Sequence, residues 1–82
     1  MKTKIIKAIS DGTRLGLLGI IRKKEICACE LPHFVKVTQP AVSQHLKVLL
    51  KAGLVKVRKK GTKRLYSLSP LGRRVIKDIS GW

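Results

Sequence analysis

At Gly53 the hydrophobic period of the chain switches from helical to alternating, and few small folds accommodate such a change. Before it, Val42, Leu46, Leu49 and Leu50 recur at the i, i+4, i+7, i+8 spacing of a buried helical stripe. Thr38 is the expected N-cap, Pro40 suits the first turn, and Gly53 is the stop signal, which predicts a helix from Gln39 to about Ala52. After it, Val55 and Val57 alternate with Lys56 and Arg58, Lys59-Lys60-Gly61-Thr62 has the composition of a turn, and Leu65-Tyr66-Ser67-Leu68 is the returning strand. A helix leading directly into a hairpin is therefore the fixed point around which the remaining elements must pack.

Those elements are short. Ile5, Ile6 and Ile9 predict a helix over Lys4 to Ser10. Asp11 is the expected N-cap of a second helix with Leu15, Leu18 and Ile21 or Ile26 on its inner face. Gly16 and Gly19 weaken that helix, each by roughly 1 kcal/mol relative to Ala; they mark either close packing or mere tolerance. A third helix is expected around Glu30 to Phe34, with Pro32 in its first turn, where no intrahelical N–H partner is lost. Ser69-Pro70 opens a last helix with Leu71, Val75, Ile76 and Ile79 on one side, close to the final residue, Trp82. The expected architecture is mainly α with a small β-hairpin, a winged helix-turn-helix of about five helices and a two-stranded wing, as one domain over residues 1–82.

Charge then limits what such a domain meets. The chain carries 19 Lys and Arg against 4 Asp and Glu, a formal net charge of +15, and that excess calls for a polyanionic partner. It is regional: twelve lysines and arginines and no acid lie between Glu30 and Asp78. The 44% hydrophobic content excludes a disordered basic tail. The apolar runs are far too short for the roughly 20 residues of a bilayer span, and the alternating Lys and Ile of the N-terminus do not resemble a signal peptide, which predicts a cytoplasmic, nucleoid-associated protein without a membrane partner. Four acids and two histidines assemble neither a nucleophile with its base nor a carboxylate pair, so an enzyme is not expected and no cofactor is required.

On the helix 39–52, Ser43, Gln44, Lys47 and Lys51 fall on one exposed arc of roughly 100°. Gln39 and Gln44 offer amides able to bond an adenine edge bidentately, Ser43 is small enough for close approach, and Lys47 and Lys51 suit phosphates. Half of the fourteen residues from Lys51 to Arg64 are basic, which fits a wing gripping a nucleic-acid backbone. The expected DNA-contacting set is Gln39, Pro40, Ser43, Gln44, His45, Lys47, Lys51, Arg58, Lys59, Lys60, Lys63 and Arg64.

Four stretches, Lys7-Ala8-Ile9-Ser10-Asp11-Gly12-Thr13-Arg14-Leu15, Glu25-Ile26-Cys27-Ala28-Cys29-Glu30-Leu31, Thr38 to Leu49 with its Ser43-Gln44-His45-Leu46, and Lys60 to Leu68, resemble in order the signatures of the ArsR/SmtB-type bacterial and archaeal repressors. The resemblance covers nearly the whole chain. It implies a homodimer joined through the first and last helices, an operator of inverted-repeat symmetry, and an inducer that releases the DNA. It also implies that Gln39, Ser43 and Gln44 face the bases, and that His45 is structural or faces a phosphate. Three departures stand out: Asp11-Gly12-Thr13-Arg14 replaces the usual Asp-Pro-Thr-Arg, the last helix is short, and the chain is unusually basic.

Within that resemblance, Cys27 and Cys29 match the thiolate pair of sensors for arsenic, antimony, cadmium or lead, which makes As(III), Sb(III) or a soft divalent ion the expected inducer. In a helix, positions i and i+2 point about 200° apart, so both sulfurs reach one ion only if they lie in an extended segment before the helix. A third cysteine found three residues beyond the pair in some of these repressors is replaced by Pro32, leaving His33 as the neighbouring donor. The zinc or nickel ligands of other members are missing from the last helix, where Leu71 to Trp82 contains only Asp78. The same thiols fit a redox sensor, and they also fit inert cysteines. From a different class, a winged-helix RNA-binding or ribosome-associated protein would suit the charge equally well.

Overall fold

The structure, a computed structural model, describes residues 2–80 and the side chains of residues 3–78. The chain runs α1 (Lys2–Ile9), α2 (Gly12–Lys23), β1 (Ile26–Cys27), a 3-10 helix (Ala28–His33), α3 (Gln39–Lys51), β2 (Val55–Lys60), β3 (Lys63–Leu68) and α4 (Pro70–Ser80). Local chemistry sets the ends of these elements. The Asp11 carboxylate accepts from the backbone N–H groups of Thr13 (2.8 Å) and Arg14 (3.1 Å), capping α2. Thr38 Oγ1 accepts from Ala41 N–H at 3.4 Å, and Ser69 Oγ accepts from Gly72 N–H at 2.9 Å, at the starts of α3 and α4. At the other end of α3, Leu54 N–H donates to the Leu49 carbonyl and Gly53 N–H to that of Leu50, each at 3.0 Å. This paired closure needs a left-handed residue, and Gly53 supplies it at φ 78°.

The β-structure exceeds the expected two-stranded wing. β2 and β3 pair from Val55↔Leu68 to Lys60↔Lys63, which leaves only Gly61 and Thr62 as the turn and lengthens both strands beyond the expected spans. β1 adds a third strand on the far side of β3, with Ile26↔Tyr66 and Cys27↔Leu65, giving the order β1-β3-β2. Ile26 therefore belongs to the sheet and not to α2. The expected third helix also differs: it begins at Ala28 and winds as a 3-10 helix, with Pro32 inside it. Proline lacks the N–H of a continuing α-helix, and a short 3-10 segment tolerates that loss.

The core is continuous through all layers. Leu17, Leu18 and Ile21 of α2 meet Val42, Leu46 and Leu49 of α3, and Leu31, Leu54, Val55, Tyr66, Leu68 and Ile76 close around them. The inner face of α2 is thus shifted in phase from expectation, since Leu17 is fully buried while Leu15 remains 38% exposed. In α1 the buried residue is Ala8; Ile5 and Ile9 pack partly on the core and Ile6 is 61% exposed. Gly16 is tolerated more than demanded, because an added Cβ would meet only Val35 Cγ1 at 4.0 Å. Gly72 is the demanding glycine, for a Cβ there would run into the Leu54 carbonyl oxygen and Leu68 Cδ2. In α4, Ile76 is buried and Leu71 is 38% exposed, whereas the side chain of Ile79, and Trp82 altogether, lie outside the described residues.

Candidate nucleic-acid interface

The buried stripe of α3 leaves its opposite arc facing outward. Gln39, Pro40, Ser43, Gln44, Lys47 and Lys51 are all exposed, and His45 is half-buried. Beside this arc lies an open groove of about 790 Å³. Gln39, Ser43 and Lys47 form its helix wall, Thr62, Lys63 and Arg64 its wing wall, Leu46, Leu50 and Tyr66 its floor, and the segment Cys27-Ala28-Cys29 its end. Tyr66 is 6% exposed, so it packs on the core as a wing residue instead of offering a ring for stacking.

The wing carries its charge against itself. Lys59 sits opposite Arg64 and Lys60 opposite Lys63, and like charges directly across an antiparallel pair destabilise it. All four are exposed, so a polyanion laid against the wing tip would relieve both repulsions. Arg58 differs from these four cations in having an acidic partner. Its Nε and Nη2 donate to Glu25 Oε2 and Oε1, each at 2.7 Å, in a bidentate pair. The side-chain hydrogen bond from Arg58 holds the Glu25 carboxyl below the usual glutamate range and raises the guanidinium in turn. Arg58 is thereby paired with Glu25 while 60% of its side chain stays exposed, and Lys63 and Arg64 line the groove.

The cysteine pair lies where an extended segment meets a helix start. Cys27 ends β1 with φ −70° and ψ 138°, and its sulfur accepts from Cys29 N–H at 3.3 Å as the cap of the 3-10 helix. Cys27 is buried and Cys29 exposed. Their Cα atoms are 5.2 Å apart and the two sulfurs are bonded to each other. The backbone thus achieves what a regular α-helix would forbid, bringing positions i and i+2 together. The fit to a metal is partial: among the described residues no group of three or more His, Cys, Asp or Glu gathers around an ion, so His33 does not join the pair. Two soft donors are present, and only the reduced pair offers thiolates.

Two relationships were invisible in the sequence. Gln39 Nε2 donates to the Ala28 carbonyl at 3.3 Å, joining α3 to the residue between the cysteines. Arg14 Nη1 lies 3.3 Å from His45 Nδ1, across 31 positions of sequence. No spacing rule connects either pair, and only the packing of α2 and the 3-10 helix against α3 makes them neighbours.

This arrangement, a capped outward-facing helix followed by a basic hairpin, is a winged helix-turn-helix. Residues 11–57 match the model of the bacterial regulatory protein arsR family. The arsenical resistance operon repressor of Staphylococcus aureus is 40% identical over 75 residues, 92% of this chain and 69% of that protein. The solved structure of the transcriptional regulator HlyU from Vibrio vulnificus superposes with a TM-score of 0.82 at 31% identity, covering 98% of this chain and 84% of the other. A homodimeric winged helix-turn-helix DNA-binding domain from Mycobacterium bovis shares the fold, with a TM-score of 0.89 over 96% of this chain and 74% of the other at 22% identity. The chain belongs to the ArsR family of bacterial regulatory proteins, whose members matched here are transcriptional regulators and not enzymes. It spans 50% to 72% of the length of the curated relatives it matches. No helix among the described residues is long and apolar enough to cross a membrane.

Proposed function

We infer that this protein is a transcriptional repressor that binds operator duplex DNA as a homodimer, in the cytoplasm, acting as one domain. The observation that carries this reading is the groove in which Gln39, Ser43 and Lys47 of α3 stand opposite Lys63 and Arg64 of the wing. An α-helix fits the major groove of B-DNA, with amide and hydroxyl groups reading base edges while flanking cations hold the phosphates. Gln39, Pro40, Ser43 and Gln44 form the reading end of α3, Lys47, Lys51 and His45 lie along it, and Lys59, Lys60, Lys63 and Arg64 form the clamp. Exposed Ile6 and Leu71, on the first and last helices, supply apolar surface for a two-fold contact.

Release follows from Cys27 and Cys29. A thiophilic ion such as arsenite, bound by the reduced pair, would shift the 3-10 helix that leads into α3, and the repressor of Staphylococcus aureus, named for arsenical resistance, is consistent with that inducer. The bond between the two sulfurs favours a second reading, in which oxidation of the pair is itself the signal. The test is selection of genomic fragments by the protein with and without arsenite, under reducing conditions and after mild oxidation. Enrichment of an inverted repeat, lost with arsenite only when the thiols are reduced, supports ion sensing. Loss on oxidation alone supports the redox reading. Displacement of the selected DNA by duplex RNA of the same sequence at equal concentration rejects the operator reading.

A further inference from the structure

The lysines of α1 have no part in the reading above. Lys4 and Lys7, together with Lys51 of α3, rim a shallow concavity of about 160 Å³ whose floor is Val48 and Ala52. His45 precedes these floor residues by three and seven positions and so tops the same stripe of α3. Val48 lies about 140° around the helix from Ser43, with Gln44 between them, so this seam flanks the reading arc on the side away from the wing.

Arg14 stands behind His45. Its Nε donates to the Ala8 carbonyl at 2.8 Å and its Nη2 to the Lys7 carbonyl at 2.9 Å, a carbonyl that also accepts from the Ser10 hydroxyl, so Arg14 is pinned to the last turn of α1. Its Nη1 faces His45 Nδ1 at 3.3 Å. A guanidinium has donors only and does not lose its proton in proteins, so Nδ1 must accept and the neutral ring carries its proton on Nε2. That Nε2–H has no protein partner among the described residues. Asp11, whose carboxylate lies within electrostatic reach of Arg14 and His45, accepts from the N–H groups at the start of α2. Three ammonium groups and a directed N–H donor, with no acid lining the concavity, are the chemistry of a phosphate contact.

A helix in the major groove runs between two sugar-phosphate strands, and in this fold the wing flanks one side of α3 while the α1 seam flanks the other. We propose that the seam between α1 and α3 is a second phosphate-binding site for the opposite DNA strand, in which Lys4, Lys7 and Lys51 supply charge and His45, positioned by Arg14, donates a hydrogen bond. The proposal rests on the duplex-binding reading above. It makes Arg14 a positioning residue and explains why the chain is basic beyond its wing.

The experiment measures operator affinity of the full chain by fluorescence anisotropy across a salt series, beside nitrogen-15 histidine NMR of the free protein at alkaline pH. The Lys4→Ala/Lys7→Ala variant should flatten the plot of log affinity against log salt by about 1.8, two contacts at about 0.9 each. Lys23→Ala/Lys24→Ala, which removes equal charge at the far end of α2, should leave the slope at its wild-type value. His45→Ala and Arg14→Gln should lower affinity by the same factor, and the double variant by no more than either alone. The NMR spectrum should show His45 protonated on Nε2 in the wild type and a tautomer mixture in Arg14→Gln. An unchanged slope in Lys4→Ala/Lys7→Ala, an equal change in Lys23→Ala/Lys24→Ala, or a ring protonated on Nδ1 overturns the proposal. Where the wild type binds operator and Gln39→Ala weakens it, such a result removes the seam alone; a wild type that binds no duplex removes the operator reading as well.

Discussion

Gln39 donates its side-chain amide to the carbonyl of Ala28, so the first residue of α3 is tied to the one residue that separates the two cysteines. The bond is exposed and, at 3.3 Å, long for an amide donor, which makes it easy to exchange for a base edge. Whatever moves the Cys27-Ala28-Cys29 segment moves this acceptor. Gln39→Ala is expected to cost about 1 to 3 kcal/mol on the operator with little change on random duplex, read by competition titration. Equal losses on both duplexes would exclude base reading by this residue.

The reduced cysteines should couple to DNA affinity. Titrating arsenite, antimonite, cadmium or lead into the operator complex is expected to weaken binding by roughly 5- to 150-fold, equivalent to about 1 to 3 kcal/mol of coupling. The Cys27→Ser/Cys29→Ser variant should bind DNA like the wild type and ignore every ion. Prior oxidation should also block the response to the ions, since the bonded sulfurs hold no thiolate.

Glu25 predicts an acid-sensitive sheet. Its carboxyl is held low by Arg58, so the pair contributes fully above the unfolded glutamate value, about 4.3, and the contribution disappears as pH falls through the lower folded value. Urea midpoints of the wild type and Glu25→Gln, compared from pH 7 down to pH 3, should differ at neutrality and converge in acid. A constant gap across that range would assign the pair no role in stability.

Gly72 should tolerate no side chain. The Leu54 carbonyl oxygen occupies the space a Cβ needs, so Gly72→Ala must push α4 off the hairpin. Overpacking of this kind costs about 1 to 3 kcal/mol, although alanine is the better helix former. A lowered urea midpoint is the expected outcome, and an unchanged one would show that α4 yields freely.

What was legible in the sequence was what local chemistry dictates. Thr38, Pro40 and Gly53 announce α3 at both ends because a cap, a first-turn proline and a left-handed glycine act within a few residues of where they stand. The hairpin was readable for the same reason. β1 was not: two residues carry no period, and its hydrogen-bond partners lie on β3. The phase of α2 was missed because Leu15, Leu17 and Leu18 are equally apolar, and only the position of α3 decides that Leu17 turns inward. The exposed arc of α3 was readable from its polarity, whereas the pairing of Arg58 with Glu25 required the fold to bring residues 33 positions apart together. The family resemblance implied a shared ligand for Cys27 and Cys29, which their spacing allows only in an extended segment, and their meeting depends on the bend where β1 becomes the 3-10 helix.

The three-stranded sheet also orders the assembly of the molecule in time. β2 and β3 are joined by two residues and can zip within microseconds, whereas Ile26 must find Tyr66 across forty residues, a loop that contains all of α3. β1 is therefore expected to dock last. By the same reasoning, the two-residue strand that carries Cys27 is the first part of the sheet to open in the native ensemble. The buried sulfur of Cys27 would then meet solvent in brief local openings that leave the reading helix folded, joining the already exposed Cys29, and amide hydrogen exchange at Ile26 and Cys27 would set the pace at which a signal enters.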